Sequence, residues 1–300
     1  MEQLFDSELA LLRKKRALMQ GDPGARFLMQ RAADDLEDRL ATVERRFERA
    51  AAAFCLTDDA ARAIRTSGKT DDITRIETDP AFLEKNGMVA DAETLPVEPG
   101  SFDLIVSLLS LHEVNDVPGM LSQIRRALKP DGLFLGAMAG AGTLQELREA
   151  LLAAETELSQ GAAPRVSPFA DVRDVGGLLQ RAGFALPVAD LETVTVRYAT
   201  MFDLMRDLRS IGATSTLAAR SRRPATRALF VRAAQIYAER FSDPDGRIRA
   251  TFNIVWMSGW APHESQQKPL APGSAKMSLK EALEKRPESK CSAYGGLRDW

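Results

Sequence analysis

Cysteine is scarce in this chain of 300 residues, which contains only Cys55 and Cys291. Two cysteines are too few for a scaffold held together by disulfides, so we expect a protein of a reducing compartment. Long apolar runs are also lacking, since none approaches the roughly 20 residues that a membrane-spanning helix needs. The charged N-terminus has no signal-peptide core. We therefore expect a cytoplasmic protein without a transmembrane segment, with a peripheral position at the inner membrane through a partner as the alternative.

Charge of one sign is not in excess either. The 40 Lys and Arg residues nearly balance the 42 Asp and Glu residues, for a net charge of −2. The two signs are interleaved, whereas a general nucleic-acid-binding protein concentrates its basic residues in one patch. Neither cysteine has a metal ligand at a useful spacing, and the pair His263 and Glu264 lacks the further ligands of a metal site. We thus predict neither a nucleic-acid partner nor a bound metal.

A strand, a helix and a second strand are indicated between Met88 and Ala137. The run SFDLIVSLLSL is apolar after a polar entry, as expected of a strand covered on both faces. Leu121, Ile124 and Leu128 form one stripe of the helix that follows. The segment LKPDG should end this helix as a turn, because proline cannot continue a helix and glycine tolerates the turn. This order of elements predicts one unit of a parallel α/β sheet.

The same stretch resembles the class I S-adenosylmethionine-dependent methyltransferases, whose landmarks here are DAETLP, SFDLIVS and LKPDG. The segments SLLSLHEVNDVP, LKPDGLFLGAM and PRVSPF are similar to one branch, the bacterial relatives of the mitochondrial complex I assembly factor that carries a methyltransferase fold. The malonyl-carrier-protein methyltransferases of the biotin pathway are a more distant resemblance. The resemblance implies a Rossmann-like α/β fold, with a mostly parallel seven-stranded sheet and helices on both faces.

Glycine is missing where this superfamily has a glycine-rich turn after its first strand. Such glycines let the backbone approach the methionine part of the cofactor and supply amides at a helix N-terminus. The corresponding stretch is AAAFCLTDDAARAI, residues 51–64, without any glycine. Thr57, Asp58 and Asp59 are interpreted either as a plain helix N-cap or as part of a modified site that binds cofactor without glycines. The plain cap implies weakened or lost binding of S-adenosylmethionine.

The resemblance implies cofactor contacts at the first two strands. Phe54 and Thr57 then lie near the methionine moiety of S-adenosylmethionine. Glu77 is the candidate to accept hydrogen bonds from the ribose hydroxyls, with Asp79 as the runner-up. A solvated acid in the loop after the strand is the alternative for either carboxylate.

The resemblance also implies contacts after the third and fourth strands. Asp91, with the amide of Ala92 beside it, matches the position that binds the adenine amino group, and an Asx-type turn is the alternative. Ser107 begins the segment that lies over the methyl donor. His112 in that segment is a candidate general base, or else a packed histidine that orients the loop.

Three regions are predicted along the chain. Residues 1–45 form an N-terminal helical cap over the cofactor pocket, and its basic run Arg13–Arg16 is either a solvated helix face or a docking surface. Residues 46–265 form the methyltransferase-like domain. Residues 266–300, rich in Pro, Ser and Lys, form a disordered tail.

Two functions of different class are compatible with these observations. The first is an S-adenosylmethionine-dependent methyltransferase-like enzyme that acts on a respiratory complex I subunit or its assembly. The resemblance adds arginine hydroxylation, because the mitochondrial members of the branch are linked to that reaction. The second is a non-catalytic assembly factor whose cofactor site has degenerated, as the missing glycines suggest. Both imply a protein substrate or client as the partner.

Overall fold

The computed structural model describes residues 3–83, 87–158 and 163–267. The chain divides into two compact units, Met1–His263 and Glu264–Trp300, and the elements named below lie in the first unit. From residue 268 onward, the tail predicted for 266–300 lies outside the described residues. The regional boundaries at residues 45 and 265 stay predictions.

Seven strands form one sheet in the described part of the chain. They are β1 (Ala50–Ala53), β2 (Ile73–Glu77), β3 (Met88–Val89), β4 (Phe102–Leu108), β5 (Leu128–Ala139), β6 (Ala185–Tyr198) and β7 (Ile248–Trp260). Their order is β3-β2-β1-β4-β5-β7-β6, with β1 to β5 parallel and β7 antiparallel to both of its neighbours. The predicted mostly parallel, Rossmann-like sheet is confirmed.

Eight α-helices accompany the sheet over the same described residues. They are α1 (Ser7–Gln20), α2 (Phe27–Ala41), α3 (Asp59–Thr66), α4 (Val117–Ala127), α5 (Gln145–Leu158), α6 (Val172–Ala182), α7 (Met201–Ser210) and α8 (Arg227–Phe241). One face of the sheet packs against α4 and α6, and the other packs against α2 and α3. Helices α5, α7 and α8 form a third apolar cluster with β6 and β7. None of the helices described is long and apolar enough to cross a bilayer.

Strand β4 shows why the sheet is covered on both faces. All of its residues are buried. Ile105 contacts the apolar cluster that includes α4 and α6, whereas Leu104 and Val106 contact the cluster that includes α2 and α3. Successive side chains of a strand point to opposite faces, so a strand between two helix layers is mostly apolar. The largely apolar run in the sequence therefore reflects this two-sided burial.

The segment LKPDG was predicted to be a turn between helix and strand, and this prediction is wrong, because the segment is the start of β5. Helix α4 ends at Ala127, and β5 already begins at Leu128. The left-handed residue is Asp131, with φ 62°, rather than Gly132. An irregularity in the pairing of β4 with β5 lies beside this bend, which is the behaviour of a β-bulge. Gly132 is still required, because an added Cβ would lie 2.9 Å from a backbone oxygen.

Substitution of Trp256 in β7 tests the packing of the described core. Its side chain is fully buried, and the guanidinium of Arg39 lies 4.3 Å from the ring centroid. Trp256→Ala should lower the free energy of unfolding by about 3–5 kcal/mol, because it leaves a large cavity. Urea denaturation measures the loss, with the 54% exposed Val188 of β6 as the control site for Val188→Ala. Equal stability of the two variants would contradict the described core.

Candidate cofactor and substrate site

A cavity of about 470 Å³ lies at the carboxyl edge of the parallel strands. Its walls include the turn after β1, the segments after β4 and β5, and the chain that follows α7. Helix α1 contributes Lys14, Ala17 and Leu18. Ligands of open α/β sheets bind at this edge, and small-molecule sites typically measure about 300–1,000 Å³. We refer to this space as the main cavity.

Left-handed backbone is concentrated around the main cavity. Of the six non-glycine residues at positive φ in the described chain, four line it, namely Phe54, Leu56, Leu109 and Leu144. This conformation costs an L-residue about 1–2 kcal/mol, so it persists only where the surroundings enforce it. Phe54 (φ 56°) and Leu56 (φ 61°) both belong to the turn after β1. That turn therefore has a backbone that glycine would adopt easily, although it contains no glycine.

The carboxylate of Glu77, at the end of β2, holds this turn. It accepts hydrogen bonds from the backbone amide of Cys55 at 3.1 Å and from that of Leu56 at 3.2 Å. Glu77 is 2% exposed and is not part of the cavity wall. Its carboxylate thus occupies two amides that a glycine-rich turn offers to a ligand. Asp79, the runner-up, pairs with a lysine of α1 at 2.8 Å. A ribose contact by either carboxylate stays a prediction.

Arg75 and Glu77 form an ion pair beside the main cavity, with Nη2 of Arg75 at 3.3 Å from Oε1 of Glu77. Burial raises the pKa of Glu77 to about 7, although Arg75 and the two amides act in the opposite direction. Arg75 lines the cavity, is 8% exposed, and has an Nε without a hydrogen-bond partner among the described residues. Strand β2 therefore presents a cation to the cavity and directs its acid into the turn.

The start of α3 does not form the plain N-cap. Asp58 occupies the N-cap position, but its side chain makes no cap hydrogen bond. The Thr57 hydroxyl donates to Asp59 at 2.7 Å, and the fully buried Asp59 pairs with Arg26 at 2.6 Å. Burial alone would raise the pKa of Asp59, but the bonds from Arg26 and Thr57, together with the charges of Arg26 and Arg62, lower it overall. These contacts tie the turn to the chain between α1 and α2, and they leave Thr57 and Asp58 in the cavity wall.

His112 lines the main cavity from the short helical turn after β4. Its Nδ1 accepts the backbone N–H of Ala139 at 3.4 Å, and its ring centroid lies 5.8 Å from that of Phe169. Burial lowers the pKa of His112, so the ring is neutral at pH 7. With Nδ1 as the acceptor, the proton of the neutral ring is on Nε2, which can donate to a ligand. A general base needs the opposite tautomer, and this role stays a prediction.

Glu113 adds a carboxylate to the wall beside His112. Its side chain pairs with Lys14 of α1 at 2.6 Å, and both residues line the cavity. Burial acts to raise the pKa of Glu113, but the charge and hydrogen bond of Lys14, together with the nearby His112 and Arg13, lower the pKa overall. An ionised carboxylate therefore faces the cavity where α1 meets the segment after β4.

Three further residues of the predicted cofactor site lie outside the wall of the main cavity. Asp91 is exposed, and its carboxylate accepts the N–H of Glu93 at 2.9 Å, as in an Asx turn. Ala92 belongs to the same turn. Ser107 is fully buried in β4, where its hydroxyl lies 3.2 Å from that of Ser110. Their contact with a cofactor stays a prediction.

Sequence reasoning did not name several charged residues of the cavity wall as site residues, among them Arg75, Lys14 and Glu113. Arg75 precedes Glu77 by two positions, which places both side chains on the same face of β2, and this spacing was the available signal. Lys14 was included only in a basic run with two interpretations. Its pairing with Glu113 joins segments that are far apart in the sequence, and no local pattern predicts such a contact.

Comparisons with known proteins agree with this geometry. A family model described as a methyltransferase domain matches residues 53–136. The chain is 40% identical over 297 residues to the mouse arginine-hydroxylase NDUFAF5, mitochondrial, covering 93% of this chain and 83% of the mouse protein. This chain belongs to the NDUFAF5 family. Both the methyltransferase domain and the branch that the sequence resembles are thereby confirmed.

The chain is also similar to a methyltransferase and to a protein of known structure. A malonyl-[acyl-carrier protein] O-methyltransferase of Laribacter hongkongensis is 36% identical over 184 residues, or 61% of this chain and 59% of that protein. The crystal structure of the YcgJ protein from Bacillus subtilis shares the fold, with a TM-score of 0.50 at 17% identity over 76% of this chain and 98% of that one. The methyltransferase domain supports S-adenosylmethionine as the cofactor.

The raised pKa of Glu77 predicts a pH dependence of stability. The folded-state pKa of about 7 exceeds the ordinary value of 4.5, so folding takes up a proton between these pH values. The stability of the wild type relative to Glu77→Gln should therefore fall as the pH rises through this window, by about 3 kcal/mol at most, and level off above it. Urea denaturation at a series of pH values measures the difference. A relative stability that rises with pH would contradict the raised pKa.

Proposed function

We propose that this member of the NDUFAF5 family is an S-adenosylmethionine-binding enzyme that modifies an arginine side chain of a protein client. The observation that carries the proposal is the main cavity, whose wall combines the turn after β1 with the polar pair His112 and Glu113. The mouse relative is named an arginine hydroxylase, which supports arginine as the target. A respiratory complex I subunit as the client, reached at the inner membrane, belongs to the same proposal.

The wall of the main cavity fits the cofactor in position and size. The left-handed residues Phe54 and Leu56 shape the turn that would meet the methionine moiety, together with Thr57. The unpartnered Nε of Arg75 supplies a buried donor for an acceptor of the cofactor. Glu77, Asp91, Ala92 and Ser107 are proposed as further contacts on the resemblance alone. When bound, S-adenosylmethionine supplies an activated methyl group.

The part of the wall formed by His112, Glu113 and Phe169 suits a guanidinium. Glu113 is an ionised carboxylate, and carboxylates bind guanidinium groups through paired hydrogen bonds. Glu113 now pairs with Lys14. An incoming arginine would either displace Lys14 from Glu113 or pair with Glu113 beside it. The rings of His112 and Phe169 offer flat surfaces on which a guanidinium can stack. The residues that α1 contributes to the wall would help to hold a bound arginine in place.

A non-catalytic assembly factor is the second candidate function. The observation in its favour is that Glu77 already binds the amides of Cys55 and Leu56. In that case the cavity keeps its shape for a client protein but does not bind the cofactor. Methyl transfer, the activity in the name of the Laribacter hongkongensis relative, is the alternative chemistry for an active enzyme.

Calorimetric titration with S-adenosylmethionine and its demethylated product separates these functions. We expect binding, and a loss of about tenfold in Phe54→Ala, since an aromatic contact of about 1.4 kcal/mol corresponds to that factor. Phe202→Ala, at a 45% exposed position of α7 outside the cavity wall, is the matched control. A similar loss in Asp91→Ala would support its adenine contact. No heat at millimolar ligand would contradict the enzyme and favour the assembly factor.

Mass spectrometry of partner proteins tests the arginine target. In cells that lack this protein, an arginine-containing peptide of a client should be unmodified, and complementation should restore its modification. Complementation with Glu113→Gln should reduce the modified fraction by about tenfold or more, because the guanidinium loses a charge-assisted partner. Glu98→Gln, at an exposed acid outside the cavity wall, should restore it fully. An added oxygen identifies hydroxylation and an added methyl identifies methyl transfer, whereas no change on any arginine would sink the proposal.

A further inference from the structure

A second cavity of about 320 Å³ adjoins the main cavity. Helices α5, α7 and α8 contribute Leu147, Met205 and Phe230 to its wall. Six residues line both cavities, and they are Leu144, Ser167, Phe169, Leu208, Ala213 and Thr214. The two cavities are therefore direct neighbours along these residues.

The charged residues described in the wall of the second cavity are all basic. Its wall includes five arginines and no Asp or Glu among the described residues, the arginines being Arg13, Arg165, Arg209, Arg220 and Arg223. The single sign contrasts with the interleaved charges of the chain as a whole. It indicates a ligand that carries negative charge.

Intramolecular acids neutralise only part of this charge. Arg165 pairs with Glu155 at 2.6 Å, and Arg220 pairs with Asp6 at 2.9 Å. The side chains of Arg209 and Arg223 are exposed and have no ion pair within the described chain. Arg13 donates to a backbone oxygen, and burial together with the charge of Arg220 lowers its pKa. The wall therefore retains cationic groups without an acidic partner.

Two distant basic segments meet at this cavity. Arg13 belongs to the basic run of α1, whereas Arg220 and Arg223 belong to the segment before α8. A bridge between Phe5 and Leu217 and the backbone bond from Asp6 N–H to Thr216 O join the two segments. The positive surface is thus produced by the fold and not by one run of sequence.

We propose that the second cavity docks an acidic segment of the protein client, so that a neighbouring arginine of the same client enters the main cavity. This inference rests on the proposed function. Guanidinium groups bind carboxylates through paired hydrogen bonds, and the apolar floor accommodates the aliphatic parts of acidic side chains. The arginines of the second cavity then orient the client, with its acids at Arg209 and Arg223 and its target arginine at Glu113.

Fluorescence anisotropy tests the docking directly and without catalysis. The probe is a short labelled peptide in which glutamates flank one arginine, compared with the same peptide carrying glutamines. The acidic peptide should bind more tightly, and added salt should weaken it because exposed charges are screened. Arg209→Gln and Arg223→Gln should each weaken binding about fivefold, as expected for an exposed charge pair. Arg181→Gln, at an exposed arginine on α6, should bind as the wild type does.

Several outcomes would overturn the docking proposal. They are equal binding of the two peptides, unchanged binding in both arginine variants, and preference for a single-stranded oligonucleotide of equal charge. Because peptide binding is measured without the cofactor, its failure leaves cofactor binding and arginine modification intact. Conversely, normal docking by a protein that modifies no arginine would contradict the proposed function alone.

Discussion

The candidate site depends on the contact between the Glu77 carboxylate and the amides of Cys55 and Leu56. Positive φ is costly for Phe54 and Leu56, so an interaction must hold the turn in that shape. A carboxylate that accepts two backbone N–H groups in a buried environment supplies this interaction. The turn after β1 is thereby maintained by a neighbouring strand, although it lacks the residue type that adopts such a shape without strain.

This arrangement has consequences for the rest of the wall. Because Glu77 points into the turn, Arg75 is the side chain of β2 that reaches the main cavity. The buried Asp59 joins the same turn to Arg26, which precedes α2. Farther along, Lys14 of α1 pairs with Glu113. The N-terminal helices are thus part of the site, because ion pairs fix them against the carboxyl edge of the sheet.

The sequence was sufficient to predict the sheet and the edge at which the site lies. Apolar strands and helix stripes depend on local periodicity, which is visible without a structure. The seven-stranded sheet was implied by the resemblance of the landmarks between Met88 and Ala137 to a known family. The turn after β1 was less predictable, since sequence rules assign left-handed backbone to glycine and not to Phe54 or Leu56. The bend at Asp131 was missed for the same reason. Clusters such as Arg13 with Arg220 depend on long-range contacts that no local pattern contains.

The central claim is that the glycine-free turn, held by Glu77, contacts the cofactor. The most direct test is a nuclear magnetic resonance titration of isotope-labelled protein with the demethylated product of S-adenosylmethionine, following the backbone amides. We predict that the largest chemical-shift changes are those of Leu56 and Thr57, with smaller changes on the remote helix α6. Saturating ligand that leaves residues 54–57 unshifted while other amides respond would contradict this account of the site.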